Sequence, residues 1–259
     1  MKQIIYNLIK LYQSHINIIK TIYINFKVLG IKQGLKFPII IFGKTDLNGF
    51  GKGSIIFNTI SFGILRIGGG GGFYGRVPFN CTIFHNFGKI IIHGRVNILN
   101  GAIINISENG CLEIGKRVSI GSNIRLKCTQ KITIDESVMI SWDCQIFDTD
   151  FHYIISNNEI ARNNKSIYIG KNTWIGSRVT ILKGVVIPQN TIVAACSLVN
   201  KSFDCSSTSI VLGGVPARII GYDKKRFAFS GEDMQSLIVA DEMLNKQFYN
   251  SDIDKLKFD

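Results

Sequence analysis

The sequence predicts an all-β fold, a parallel β-helix whose chain turns a corner every six residues, with helical caps at its two ends. Three observations carry that expectation. Ile169, Ile175, Ile181, Ile187, Val193 and Val199 keep a strict six-residue interval, a period that belongs to neither an amphipathic helix nor an alternating strand. The same beat recurs upstream at Ile92, Ile98 and Ile104, at Ile114, Ile120 and Leu126, and at Ile134, Ile140 and Ile146, each group read as one three-sided turn of eighteen residues. A smaller residue sits four places on at Thr173, Val179, Val185, Thr191 and Ser197, and Gly115, Gly121, Gly170, Gly176 and Pro188 follow stacked positions, where corners are expected to need unusual or pre-set backbone angles. Such a chain stacks its aliphatics in columns and pairs its backbone between successive turns. An ordinary sandwich predicts period two and no six-residue beat. One turn cannot bury its own apolar edge, so the repeat has to be stacked and capped.

Residues 1–36 carry Ile5, Leu8, Ile9, Tyr12, Ile16 and Ile19 at helical spacing, which predicts an N-terminal amphipathic cap of one or two helices. The competing use of such a basic helix is to lie on an anionic membrane; burial against the first coil is the preferred reading. The β-helix is expected over 37–221, irregular as far as Lys89 and regular from about Ile90 to Val199. Its early glycines do not make a phosphate loop, because Pro38 stands where the first glycine of that motif belongs and Gly51-Lys52-Gly53-Ser54 also breaks the pattern. The run Gly68 to Gly72 reads as a corner or loop. A loop over 147–168 interrupts the beat, and a solenoid accepts an insertion only at a corner, where it projects. Segment 222–259 holds Met234, Leu237, Ile238, Ala240, Met243 and Leu244 among charged residues and is expected to form a C-terminal helix.

Composition narrows the function. The 259 residues carry a net charge of +12, but the basic residues are scattered and no basic-aromatic motif appears, so nucleic acid is not an expected partner and an anionic small ligand or surface is. Six cysteines, at 81, 111, 128, 144, 196 and 205, show no metal spacing and read as small core fillers in a reducing compartment. No secretory leader and no long apolar run is evident, which makes the cytoplasm the expected location.

The candidate chemistry lies in the interrupting loop, at Asp148-Thr149-Asp150-Phe151-His152. A neutral imidazole oriented by a carboxylate is a competent general base, because the partner fixes the tautomer and stabilises the imidazolium as it forms. Either Asp148 or Asp150 is the candidate orienter of His152.

These features together resemble the hexapeptide-repeat acyltransferases, a left-handed parallel β-helix family that includes galactoside, maltose, serine and polysaccharide O-acetyltransferases. The resemblance spans about Ile90 to Ile220 and is densest at Ile169-Gly170-Lys171-Asn172-Thr173-Trp174-Ile175-Gly176-Ser177 and Gly214-Val215-Pro216-Ala217-Arg218. It implies left-handed winding, a homotrimer, and acetyl-CoA lying in the groove between neighbouring helices. By that resemblance His152 deprotonates an acceptor hydroxyl for direct attack on the thioester, Ser177 and Ala195 contact the pantetheine arm, and Asn200, Lys201 and Arg218 lie near the nucleotide end. No metal is expected. The sequence departs from the family pattern at Ala194-Ala195-Cys196-Ser197, which lacks the usual glycine, and at Asn200, where threonine is common. Gly121 stands where galactoside-type members carry an asparagine, leaving Asp143 or a backbone N–H as the candidate oxyanion donor. The expected reaction is O-acetylation of a sugar hydroxyl on a surface-polysaccharide precursor. The alternatives are N-acetylation of an amino-sugar nucleotide, a zinc site of the carbonic-anhydrase kind, for which His85, His93 and His152 are poorly spaced, and a non-catalytic scaffold.

Overall fold

The structure, a computed structural model, describes residues 15–69, 81–156, 158–204 and 209–226. Among these residues three parallel sheets form the sides of a prism. The first runs through Ile39–Ile41, Leu65–Gly69, Val96–Leu99, Val118–Ile120, Met139–Ile140, Trp174–Ile175, Ile192–Val193 and Val211–Gly213, and closes on the antiparallel strand Arg218–Gly221. The second runs through Thr45–Asn48, Thr82–Asn86, Ile103–Ile106, Arg125–Cys128, Gln145–Phe147, Thr180–Ile181 and Leu198–Val199. The third runs through Ile55–Phe57, Lys89–Ile92, Cys111–Ile114, Lys131–Ile134, Ile167–Ile169 and Val186–Ile187. The chain visits the three in rotation, as a three-sided parallel β-helix requires, and the fold is of the left-handed class.

Strand register accounts for the six-residue beat. Ile98, Ile120, Ile140, Ile175 and Val193 are successive partners in the first sheet. Ile104, Leu126, Ile146, Ile181 and Val199 stack in the second, and Ile92, Ile114, Ile134, Ile169 and Ile187 in the third. All of these side chains are buried, as are Thr173, Val179, Val185, Thr191 and Ser197 at the four-residue offset. Each stacked aliphatic removed from water contributes roughly 1.5–3 kcal/mol, so the columns dominate the favourable side of the balance.

The upstream turns are longer than eighteen residues. Ile98 lies opposite Ile120 and Ile120 opposite Ile140, spacings of 22 and 20 residues, whereas Ile175 lies opposite Val193, 18 residues on. The additional residues gather at the corner from the second sheet to the third, at Ser107–Gly110 and Thr129–Gln130, and at the same corner of the next turn the 147–168 loop leaves the prism. The corner glycines also serve a purpose other than the expected one. Gly115, Gly121, Gly170 and Gly176 do not have positive φ; a Cβ on each would stand 2.5–2.7 Å from backbone of the next turn. Close approach excludes a side chain there. The left-handed position falls two residues later, on Arg117, Asn123, Asn172 and Arg178.

The early coils are more regular than the sequence implied. Ile39–Ile41, Thr45–Asn48 and Ile55–Phe57 already place one strand on each sheet, and the irregularity is confined to their connections. Gly68 needs its glycine twice over, with φ +79 and a Cβ that would come within 2.6 Å of the Phe42 carbonyl; Gly70 to Gly72 lie outside the described residues.

Helix α1 (Ile18–Gly34) begins at Asn17, whose side chain accepts from the Lys20 N–H, as an N-cap does. It buries Thr21, Ile24, Asn25 and Val28. The fully buried Asn25 donates to the Ile39 carbonyl at 2.7 Å and accepts from the Ile39 N–H at 3.1 Å, while Thr21 Oγ1 accepts from the Ile41 N–H. These two polar side chains, with the Asn17 N–H on the Ile41 carbonyl at 2.8 Å, thus satisfy the otherwise unpaired edge of the first strand. The opposite side of α1 exposes Ile19, Ile31 and Leu35. Among the described residues no helix is long and apolar enough to cross a membrane. The expected helical positions Ile5, Leu8, Ile9 and Tyr12, and the C-terminal helix expected within 222–259, lie in segments 1–14 and 227–259, outside the described residues.

Candidate active site

The projecting loop is held at its base by the residues that follow Phe147. Asp148 is fully buried, and its carboxylate accepts from the N–H groups of Thr129, Gln130 and Lys131 at 2.7–3.1 Å and from the Thr129 hydroxyl at 2.8 Å. It clamps the corresponding corner of the turn below. Asp150 makes an ion pair with Lys183 at 2.5 Å, and Lys183 also donates to the Arg162 carbonyl at 2.7 Å. The Asp150 N–H donates to the Asn163 carbonyl and the Lys165 N–H to the Asp148 carbonyl, so both limbs of the loop are pinned before it rises into a hairpin, Ile154–Ser156 with Glu159–Ala161. The hairpin presents Tyr153, Ile154, Ile155 and Ile160 to solvent.

His152 stands at the foot of that hairpin, exposed, between Phe151 and Tyr153. Among the described residues it has no hydrogen-bond partner. Neither expected orienter reaches it: four donors occupy Asp148, and Lys183 occupies Asp150. Asp148 is therefore a buried structural carboxylate within this chain, because a charge taken out of water needs several strong donors. The imidazole is oriented within this chain by neither aspartate. Of the other two histidines on the prism, His85 bonds Asp46 at 3.0 Å and His93 bonds Glu113 at 2.9 Å.

A groove of about 690 Å³ opens beside the loop. Thr149, Tyr153 and Asn164 line it from the loop, and Phe87, Asn109 and Thr129 from the turns below. No spacing in the sequence marks this surface. Its residues come from four successive turns, and only the strand register, Asn86 against Ile106 and Cys128 against Ile106, brings them to one corner.

The residues expected to hold CoA divide between two corners. Ser177 and Ala195 follow first-sheet strands and stack directly, the Cys196 N–H donating to the Ser177 carbonyl at 2.9 Å. Arg218 joins this corner: Ala194 N–H donates to the Leu212 carbonyl, Leu198 N–H to Gly214 and Ala217 N–H to Leu198, which seats the 211–221 hairpin over it. Asn200 and Lys201 follow a second-sheet strand, at the same corner as the loop of His152, and the Lys201 ammonium lies 5.8 Å from the centre of the Phe203 ring. A six-residue side spans at most about 20 Å, and one such side separates the two groups. Trp174 is exposed on the first sheet and donates to the Ser141 hydroxyl at 3.2 Å.

Burial sets the thiol chemistry. It pushes the Cys128 thiol up to about 12, with the nearby Asp148 charge adding to the effect, and the Cys144 thiol up to about 11. Of the six expected core fillers, these two are buried, Cys81 and Cys111 are half-buried, and Cys196 is exposed at a left-handed corner with φ 60; Cys205 lies outside the described residues.

Residues 166–201 match the family model described as bacterial transferase hexapeptide (six repeats). The chain is 31% identical over 113 residues to the galactoside O-acetyltransferase of Escherichia coli strain K12, an alignment covering 42% of this chain and 53% of that protein. It is also 31% identical over 87 residues to the polysialic acid O-acetyltransferase of Neisseria meningitidis, covering 32% and 40%. The chain thus spans about half the length of these curated relatives. Among solved structures, the polySia-specific acetyltransferase NeuO superposes with a TM-score of 0.56 at 18% identity, covering 82% of this chain and 90% of that one, a likeness of fold.

Proposed function

We propose that this chain, which carries the hexapeptide repeat of the bacterial transferases, is an O-acetyltransferase that moves the acetyl group of acetyl-CoA to a sugar hydroxyl of a surface-polysaccharide precursor in the cytoplasm. The observation that carries the reading is His152, an exposed imidazole on a loop whose base is fixed by Asp148 and by the Asp150–Lys183 pair. A nitrogen of that ring takes the proton of the acceptor hydroxyl as its oxygen attacks the thioester carbonyl. The developing oxyanion needs a donor, for which a backbone N–H is the candidate, since the carboxylate of Asp143, the other candidate from the sequence, can accept but not donate. The intermediate then expels CoA thiolate, with no acyl-enzyme.

The division of the donor residues supports a homotrimer in which CoA lies between protomers. Ser177, Ala195 and Arg218 of one protomer face the corner bearing His152, Asn200 and Lys201 of the next, so neither surface completes the site alone. Exposure of Ile154, Ile155 and Ile160 on the hairpin fits burial against a neighbouring protomer. Arg218 and Lys201 suit the phosphates of CoA as cations.

Replacing His152 with Ala tests the mechanism. Acetyl transfer, followed as CoA release from acetyl-CoA with a sugar acceptor, is expected to fall by about 10²–10⁴-fold. Unchanged turnover removes His152 as the base.

A further inference from the structure

The groove beside the loop has a chemistry and a direction of its own. Four side-chain amides line it, those of Asn105, Asn109, Asn163 and Asn164, together with the hydroxyls of Ser107, Thr129 and Thr149. Asp148 takes the Thr129 hydroxyl proton, and the Asn105 and Asn164 amide oxygens accept from Lys127 and Arg162; the amide N–H groups, the Thr129 oxygen and the Asn109, Asn163 and Ser107 side chains still offer the mixed donors and acceptors that paired ring hydroxyls require. Phe87 and Tyr153 offer exposed aromatic surface, at 47% and 70%, suited to the apolar face of a pyranose ring. Its two charges are of opposite sign, Glu108 and Lys127, and Lys127 is already held by the Asn105 carbonyl at 2.5 Å. No cationic track runs through the lining.

The direction follows from the coil. Phe87, Asn109, Thr129 and Thr149 occupy the same corner on four successive turns. Turns lie about 4.8 Å apart, so the groove runs about 14 Å along the axis, the length of two to three sugar rings. It ends at Tyr153, the neighbour of His152. Its 690 Å³ lies within the range of about 300–1,000 Å³ typical of ligand pockets.

Resting on the reading of the chain as a sugar acetyltransferase, we infer that this groove binds an uncharged oligosaccharide segment of at least two residues, laid along the axis with its modified ring at His152. Polyanionic glycans are disfavoured there, because their carboxylates meet Glu108 and find one cation that is already engaged.

Binding to immobilised oligosaccharides tests this without acetyl-CoA, so it does not depend on the reaction. The probes are neutral hexose and N-acetylhexosamine oligomers of one to four residues, with sialic acid oligomers of equal length. The full chain is expected to retain neutral oligomers of two or more residues, and Phe87→Ala and Asn109→Ala each to weaken that retention at least about fivefold. Both positions are exposed, and an unchanged unfolding midpoint shows that the variants fold. Retention of sialic acid oligomers alone, of no oligomer, or of neutral oligomers equally by parent and variants overturns the proposal. Retention that follows the variants, beside turnover indifferent to His152→Ala, leaves the groove standing and sinks the catalytic reading.

Discussion

At the scale of single residues, the same side-chain type performs different work according to burial. Asp148 and Asp150 are two positions apart, yet one is a fully buried clamp on the turn below and the other a partly exposed partner of Lys183. Glu113 shows the same dependence on neighbours: hydrogen bonds from Lys131 and then His93 hold its carboxyl below the ordinary 4.5. A carboxyl depressed by folding stabilises the fold fully above its unfolded pKa, and that contribution is lost as pH falls through the lower folded value. The difference in unfolding free energy between the parent and Glu113→Gln is therefore expected to narrow as urea titrations move from pH 7 to below 4.5; a difference constant down to pH 3 counts against it. The thiols give a second check. Cys196 adjoins Ala195, so acetyl-CoA is expected to slow alkylation of Cys196 severalfold, read by peptide mass spectrometry, while Cys128 and Cys144 stay unlabelled in the folded protein. Equal labelling of Cys196 with and without acetyl-CoA moves the pantetheine arm off this corner.

At the scale of elements, the β-helix was legible in the sequence because it is a local rule repeated: an aliphatic every six residues and a small residue four places on. Turn length was not legible to the same degree, since residues added at one corner leave the columns aligned and are visible only through register. The corner glycines are visible in the sequence but the reason for them is not, because torsion demand and close approach leave the same mark. Gly121→Ala distinguishes them: its Cβ would meet Ser141 backbone at 2.6 Å, and the expected loss is about 1–3 kcal/mol in denaturant unfolding. Gly51→Ala, with nothing within 4 Å of its Cβ, is expected to be neutral or slightly stabilising. Equal effects at the two sites refute the close-approach account. Within the loop, the sequence exposed His152 through scarcity and position, but the engagement of its two aspartates depends on Thr129, Gln130 and Lys183, whose proximity only the stacked turns create.

At the scale of the whole molecule, the proposed donor surface on one corner and the proposed base on the next would make the site, in a trimer, a property of neighbouring chains. Mixing His152→Ala protomers with protomers blocked by Ala195→Trp tests that division. Random reassembly of two inactive parents into trimers is expected to restore about a quarter of parental activity, because that fraction of interfaces pairs an intact His152 with an intact Ala195 corner. No recovery places both groups in one chain. The acceptor groove, by contrast, is drawn from a single chain, from Phe87 to Asn164.

Helix α1 has one further consequence. A ladder of parallel strands carries no internal signal for length, since each turn offers the next the same row of amides and carbonyls. Asn25 and Thr21 occupy that row at Ile39 and Ile41. With those two side chains and the Asn17 N–H on the Ile41 carbonyl in place, the first-sheet edge of this turn is no longer a template, and one helix closes to end-to-end growth the side of the prism that it covers.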